Sequence, residues 1–114
     1  MRKEIYVLGA TRTAIGTFGG AFKNTTPIEL ASQVVAESIK RSKVDPESVG
    51  HLVMGHVLNT EPKDMYLSRA AAINGGLPEN TPAFNLNRLC GSGLSAIIAA
   101  AQMINECEAE VTVA

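Results

Sequence analysis

Residues 87–97 read Asn87-Arg88-Leu89-Cys90-Gly91-Ser92-Gly93-Leu94-Ser95-Ala96-Ile97. Just upstream, Ala83-Phe84-Asn85-Leu86-Asn87 is short and bracketed by Pro78 and Pro82, and reads as a strand. Downstream, Leu94 to Ile104 is apolar nearly all round, which predicts a helix buried on every side. A strand that turns tightly into a buried helix belongs to a parallel sheet covered by helices. The same junction holds one of only two cysteines in the chain.

The flanking sequence repeats that alternation. Glu4-Ile5-Tyr6-Val7-Leu8-Gly9 reads as a strand buried on both faces, and Thr11 to Asn24 as a glycine-containing loop. Thr26-Pro27-Ile28-Glu29 is a helix start: threonine and glutamate can cap each other's amides, and proline suits the first helical position. Ile28, Ala31, Val34, Val35 and Ile39 continue it as an apolar stripe, with Lys40, Arg41 and Lys43 near its negative end. His51 to Leu58 reads as a second strand and Met65 to Asn74 as a second helix stopped by Gly75-Gly76. Glu110 to Ala114 begins a fourth strand. The fold class is therefore α/β, an incomplete β-α-β-α-β-α-β unit with a buried central helix. Ending on a few residues of an inner strand, residues 1–114 are expected to be the front part of a longer protein.

Composition narrows the function classes. The chain has 114 residues, 46% apolar and 18% charged, which fits a globular domain and argues against disorder. Net charge is -1 and no basic run interleaves with aromatics, so no nucleic-acid footprint is present. The longest all-apolar run, Ala96 to Ala101, is too short to span a bilayer, and the N-terminus lacks the apolar region of a secretory signal. Sparse cysteine suits a reducing compartment, and a cytoplasmic location is expected.

Cys90 is the chemical candidate. A helix N-terminus presents unpaired amides and partial positive charge, which favours a thiolate. Gly91 and Gly93 clear side chains from the first turn, so a bulky acyl donor can approach. The amides of Cys90 and Gly91 are expected to face the oxyanion that forms on a thioester under attack. Spacing alone is equally compatible with the bland reading, a small buried cysteine with glycines for packing.

The remaining candidates weigh less. Cys107 sits among acids at a helix C-terminus, where a thiolate is disfavoured. Cys90 and Cys107 are separated by a helix about 25 Å long, too far for a disulfide. His51 and His56 point to opposite sides of a strand and make a poor metal pair; structural roles are expected. For Arg88 a structural ion pair is expected ahead of a contact to a thiolate or an anion. No phosphate-binding glycine motif is present.

Asn87-Arg88-Leu89-Cys90-Gly91-Ser92-Gly93-Leu94 resembles the acyl-enzyme motif of the thiolases, the acetyl-CoA acetyltransferases and β-ketothiolases. Ala10-Thr11-Arg12-Thr13-Ala14-Ile15-Gly16-Thr17-Phe18-Gly19-Gly20 is similar to the family's N-terminal Arg-Thr-x-x-Gly segment, and Gly55-His56-Val57-Leu58 to its Gly-x-Val strand. Glu61-Pro62-Lys63-Asp64-Met65-Tyr66-Leu67-Ser68-Arg69 is similar to β-ketothiolases of the polyhydroxyalkanoate type. The likeness is collinear over essentially all 114 residues.

The resemblance implies a thiolase-like fold in which residues 1–114 form the front of the N-terminal domain. It implies that Cys90 attacks acyl-CoA and carries an acyl-thioester, with coenzyme A thioesters as substrates and no further cofactor or metal. A homodimer or homotetramer is implied, with residues 64–69 near the subunit contact and the mouth of the site. It also implies that the acid–base cysteine and histidine, and an Asn-His oxyanion pair, come from elsewhere; Cys107, His51 and His56 do not match them. Where many thiolases end the central helix in a Gly-Asp-like turn, Glu106-Cys107-Glu108 stands here. Either Cys107 adopts a left-handed cap, at about 1–2 kcal/mol relative to glycine, or the helix continues. Two other readings are a non-catalytic assembly module that folds only with its missing half, and a decarboxylating ketoacyl synthase.

Overall fold

The computed structural model describes residues 3–114. Three helices and three strands alternate: α1 (Pro27–Ser42), β1 (Val49–Gly55), α2 (Leu67–Asn74), β2 (Ala83–Leu86), α3 (Ser92–Asn105) and β3 (Val111–Val113). Short 3-10 turns, Pro46–Ser48 and Pro62–Tyr66, precede β1 and α2. The sheet is wholly parallel in the order β2-β1-β3.

The predicted start of α1 is present in full. Thr26 Oγ1 accepts from the Glu29 amide at 3.2 Å, and Glu29 Oε2 accepts from the Thr26 amide at 2.7 Å. The Thr26 amide, assisted by the Thr26 hydroxyl donating to the same oxygen at 3.0 Å, holds the Glu29 carboxyl below the usual carboxylate range. Val35 and Ile39 then carry the stripe onto Val49 and Leu52 of β1, with Ala71, Ala72 and Leu77 closing that core. A register irregularity between Val49 and His51 lets Val49 and Leu52 face the same helices. The adjacent Val53 points the other way, onto Ala96 and Ala100 of α3.

The crossover from β1 to β2 runs in one direction along the sheet, and that from β2 to β3 runs back past β1. Right-handed connections in opposite directions require helices on opposite faces. Accordingly α2 joins α1 on one face while α3 covers the other.

Two expectations need correction. Residues 4–9 form no strand and pair with no other segment among the described residues; Val7 is 83% exposed. A β-rich run cannot supply its own ladder, and neither β2 nor β3 runs alongside it. The segment is anchored at its ends instead. The Lys3 amide donates to Asn105 Oδ1 at 3.0 Å, and Thr11 Oγ1 donates to the Val34 carbonyl at 3.1 Å. The three remaining strands keep the parallel α/β class, with β3 at an edge.

The second correction concerns α3, which is covered on one side only. Ser92, Ala96 and Ala100 are buried, whereas Leu94 and Ile97 are 67% and 53% exposed. Small residues face the sheet and large apolar ones face outward. The chain supplies one layer against this helix, while its pattern is written for two. No helix among the described residues is long and apolar enough to cross a membrane.

Helices α2 and α3 end in the same turn built from different residues. After α2, the amides of Gly76 and Leu77 reach back to Ile73 and Ala72. After α3, the amides of Cys107 and Glu108 reach back to Ile104 and Met103. Both are Schellman closures, whose key residue must be left-handed. Gly76 takes φ 94° freely, but Cys107 takes φ 62° with a side chain attached. The left-handed cap is thus the alternative realised. Replacing exposed Cys107 by glycine is expected to raise stability by about 0.5–1 kcal/mol, after the entropy glycine adds to the unfolded chain. Denaturant unfolding of Cys107→Gly against wild type checks this; an unchanged or lower midpoint refutes it.

Candidate active site

Strands β1 and β2 end side by side at Gly55 and Leu86, and the His56 amide extends the ladder to the Leu86 carbonyl at 2.9 Å. The chain leaving β2 reaches Cys90 four residues later. The thiol is therefore mounted at the carboxyl edge of the parallel sheet, the edge at which α/β folds place their ligands. Cys90 is exposed and free, so the buried-cysteine reading does not describe it.

The junction is a compact elbow. Gly91 is the N-cap of α3 and offers no side chain, so Ser92 takes over. Ser92 is buried; its Oγ donates to the Leu89 carbonyl at 2.7 Å and accepts from the Arg88 amide at 2.8 Å. Asn87 Oδ1 accepts from the Leu89 amide at 3.0 Å. Between them Leu89 adopts φ 50°, a left-handed conformation costing about 1–2 kcal/mol for a residue with a side chain.

The amides sort differently from expectation. Gly91 N–H donates to the Arg88 carbonyl at 3.0 Å and is not available to an oxyanion. The amides of Cys90, Gly93 and Leu94 have no acceptor among the described residues. The tight turn at Leu89 folds Gly91 back onto Arg88, which the sequence could not reveal. The glycines also differ in purpose. A Cβ at Gly91 would touch the Arg88 carbonyl at 3.4 Å, whereas one at Gly93 would meet nothing within 4 Å. Packing within this chain gives no reason for glycine at 93.

Gly55 explains how the elbow is seated. A Cβ there would lie 2.8 Å from the Ser92 carbonyl carbon and 2.9 Å from the Gly93 nitrogen. Both are backbone atoms, so the end of β1 and the first turn of α3 are in direct main-chain contact.

The other candidates resolve plainly. Arg88 is exposed and forms no ion pair among the described residues, against expectation; its backbone, not its guanidinium, is what the elbow uses. His51 packs edge-on against Phe84, ring centroids 5.4 Å apart, and its Nδ1 lies 3.2 Å from the Leu52 carbonyl oxygen. His56 Nε2 pairs with Asn59 Oδ1 at 2.8 Å. Both histidines have structural contacts, and no His, Cys, Asp or Glu group among the described residues is arranged to hold a metal. Cys107 is exposed, well away from the elbow at the far end of α3.

Asp64 is the residue sequence reasoning passed over. It is fully buried, and its Oδ2 accepts from the Thr60 amide and hydroxyl, each at 2.7 Å, and from the Glu61 amide at 3.1 Å. The Thr60 hydroxyl is the chief cause holding this carboxyl below its ordinary value of 3.8. Burial opposes it, and the two amides and nearby His56 assist. Asn85 of β2 joins this loop to the sheet, donating to the Met65 carbonyl at 3.0 Å and accepting from the Ser68 amide at 2.9 Å. Arg69 donates to the carbonyls of Thr81 and Glu79. The sequence signal was Pro62 with an acid two residues on, a helix-start pattern obscured by the brevity of the turn.

With this geometry in place, comparison with known proteins is decisive about family. The model of the thiolase N-terminal domain matches residues 5–114, and the chain belongs to the thiolase family. It is 55% identical to the β-ketothiolase BktB of Cupriavidus necator over 104 residues, covering 91% of this chain and 26% of that protein. It is 38% identical to the human mitochondrial 3-ketoacyl-CoA thiolase over 109 residues, covering 96% of this chain and 28% of that one. A crystal structure of the human enzyme in complex with CoA superposes with a TM-score of 0.88 over 91% of this chain and 26% of the other. The chain thus spans about a quarter of the length of these relatives.

Two outcomes follow from the geometry. Gly55→Ala is expected to destabilise the chain by about 1–3 kcal/mol, since neither backbone can yield without moving α3; an unchanged unfolding midpoint would refute the contact. Asp64 binds protons more readily when unfolded, so its contribution is present above about pH 3.8 and fades as pH falls through its lower folded value. The stability gap between wild type and Asp64→Asn should therefore narrow on acidification from about pH 6 to pH 3. Urea titrations across that range test it, a constant gap being the contrary result.

Proposed function

We propose that this chain carries the nucleophile of an acyltransferase that forms or cleaves 3-ketoacyl-CoA. The observation that carries the reading is an exposed Cys90 at the sheet's carboxyl edge. Its own amide is unpaired, and the helix face beyond it is cleared at Gly93. Membership of the thiolase family agrees with it.

The chemistry runs in two halves. The Cys90 thiolate attacks the carbonyl carbon of acetyl-CoA. The carbonyl electrons move to oxygen, where the Cys90 amide is placed to donate. Collapse re-forms the carbonyl and expels CoA thiolate, which takes up a proton, leaving acetyl-Cys90. A second acetyl-CoA then gives up an α-proton to a base. Its carbanion attacks the acyl-thioester to give acetoacetyl-CoA, and the Cys90 thiolate is returned. Thiolysis is the same path reversed. No residue near the elbow is assigned as that base. Substrates are coenzyme A thioesters, with no further cofactor, and the working form is a homodimer or homotetramer in a reducing, cytoplasmic compartment. Assembly is supported by the large apolar residues that α3 leaves uncovered.

That bare face also favours a second reading, in which residues 1–114 act only as an assembly module. Covalent chemistry separates the two. Native protein incubated with acetyl-CoA, quenched in acid and digested should show one acetyl group on the peptide containing Cys90. Cys90→Ala should lose the adduct and lower turnover by about 10³-fold or more. An unmodified Cys90 peptide after saturating exposure refutes acyl transfer from acetyl-CoA and favours the module.

A further inference from the structure

We infer that Asn87 and Ser92 are positioning residues for Cys90, holding the backbone of Leu89 left-handed so that the sulfur is presented in one direction. The inference rests on the acyl-transfer reading of Cys90 given above. A side-chain-bearing residue persists in the left-handed region only where its surroundings over-determine it. Leu89 does not hold itself there by packing, because its own side chain is 68% exposed. Its two backbone polar groups are instead gripped from either side, the N–H by Asn87 Oδ1 at 3.0 Å and the carbonyl by Ser92, whose Oγ donates at 2.7 Å and whose amide donates at 3.1 Å.

The two grips are not equivalent. Ser92 is 5% exposed and sits in the first turn of α3, pressed against β1 where a Cβ on Gly55 would come within 2.8 Å. It is therefore the fixed point, and its Oγ also takes the Arg88 amide at 2.8 Å. Asn87 is exposed and precedes the turn, so its carboxamide is the adjustable clasp. Loosening either lets Leu89 relax toward negative φ. With β2 and α3 fixed on either side, that rotation is compensated at Arg88, Cys90 and Gly91, and a change of φ at Cys90 re-aims its N–H relative to its Cα–Cβ bond. Ground-state thiol chemistry with a small reagent tolerates such a change. Attack on a bound thioester does not, because nucleophile and oxyanion donor must meet the same carbonyl.

The test uses native protein and four forms: wild type, Asn87→Ala, Asn87→Asp and Ser92→Ala. Single-turnover acetylation of Cys90 by acetyl-CoA is compared with alkylation of Cys90 by iodoacetamide. Asn87→Ala and Ser92→Ala are expected to slow acetylation by about 10–100-fold, with half-saturation by acetyl-CoA changed less than about twofold. Their alkylation rates should stay within about threefold of wild type, since a small, freely tumbling reagent needs no fixed approach. Asn87→Asp keeps the acceptor oxygen and should acetylate within about threefold of wild type, which also serves if the alanine variant does not fold. Wild-type acetylation by Asn87→Ala, or equal losses in Asn87→Ala and Asn87→Asp, overturns the positioning role. Equal slowing of acetylation and alkylation also overturns it, because the elbow would then act on thiol reactivity in general. Failure of wild type to acetylate at all overturns the acyl-transfer reading, and this inference falls with it.

Discussion

The main-chain contact between the end of β1 and the first turn of α3 governs the rest of the structure. Gly55 allows the two backbones to meet without an intervening side chain. That depth brings Ala96 and Ala100 down onto Val53, which fixes α3 against its face of the sheet. It also buries Ser92, and buried Ser92 is what closes the elbow over Leu89. Position, packing and the presentation of the thiol all descend from one missing methyl group.

Around that contact the molecule is asymmetric. One face of the sheet is finished: α1 and α2 bury Leu52, Val35 and Ile39 in a closed apolar cluster. The other face carries a helix whose small residues are spent on the sheet and whose large residues are not yet used. The loop from Thr60 to Ser68 is fastened by polar groups, with Asp64 and Asn85 doing by hydrogen bonds what the apolar core does elsewhere. Such a loop stays in place on an open edge where little apolar area is available to bury.

What could be read in the sequence was what short-range chemistry decides. Thr26, Pro27 and Glu29 announce α1 because a capping box needs only residues three apart. The strand-to-helix junction at Cys90, and the alternation of strands with helices, were legible for the same reason. Residues 4–9 misled because β-propensity describes a willingness to pair and says nothing of a partner. The all-round apolar pattern of α3 marked it as a helix but not which side this chain covers. At the site, the mounting of Cys90 between a strand and a helix was legible from the residues around it. Engagement of the Gly91 amide, the grip of Ser92 and the burial of Asp64 depend on turn geometry that no periodicity encodes. Arg88 was misjudged because charge attracted notice where only its backbone matters.

The left-handed turn at Leu89 also restricts how the sequence can drift. Valine, isoleucine and threonine carry a second branch at Cβ that crowds the neighbouring carbonyl in this conformation. Leucine places its branch one carbon further out and clears it. Position 89 is thus open to leucine-like, unbranched, asparagine or glycine side chains and closed to equally apolar ones of a different shape. The constraint there is on the outline of a residue whose side chain is mostly exposed.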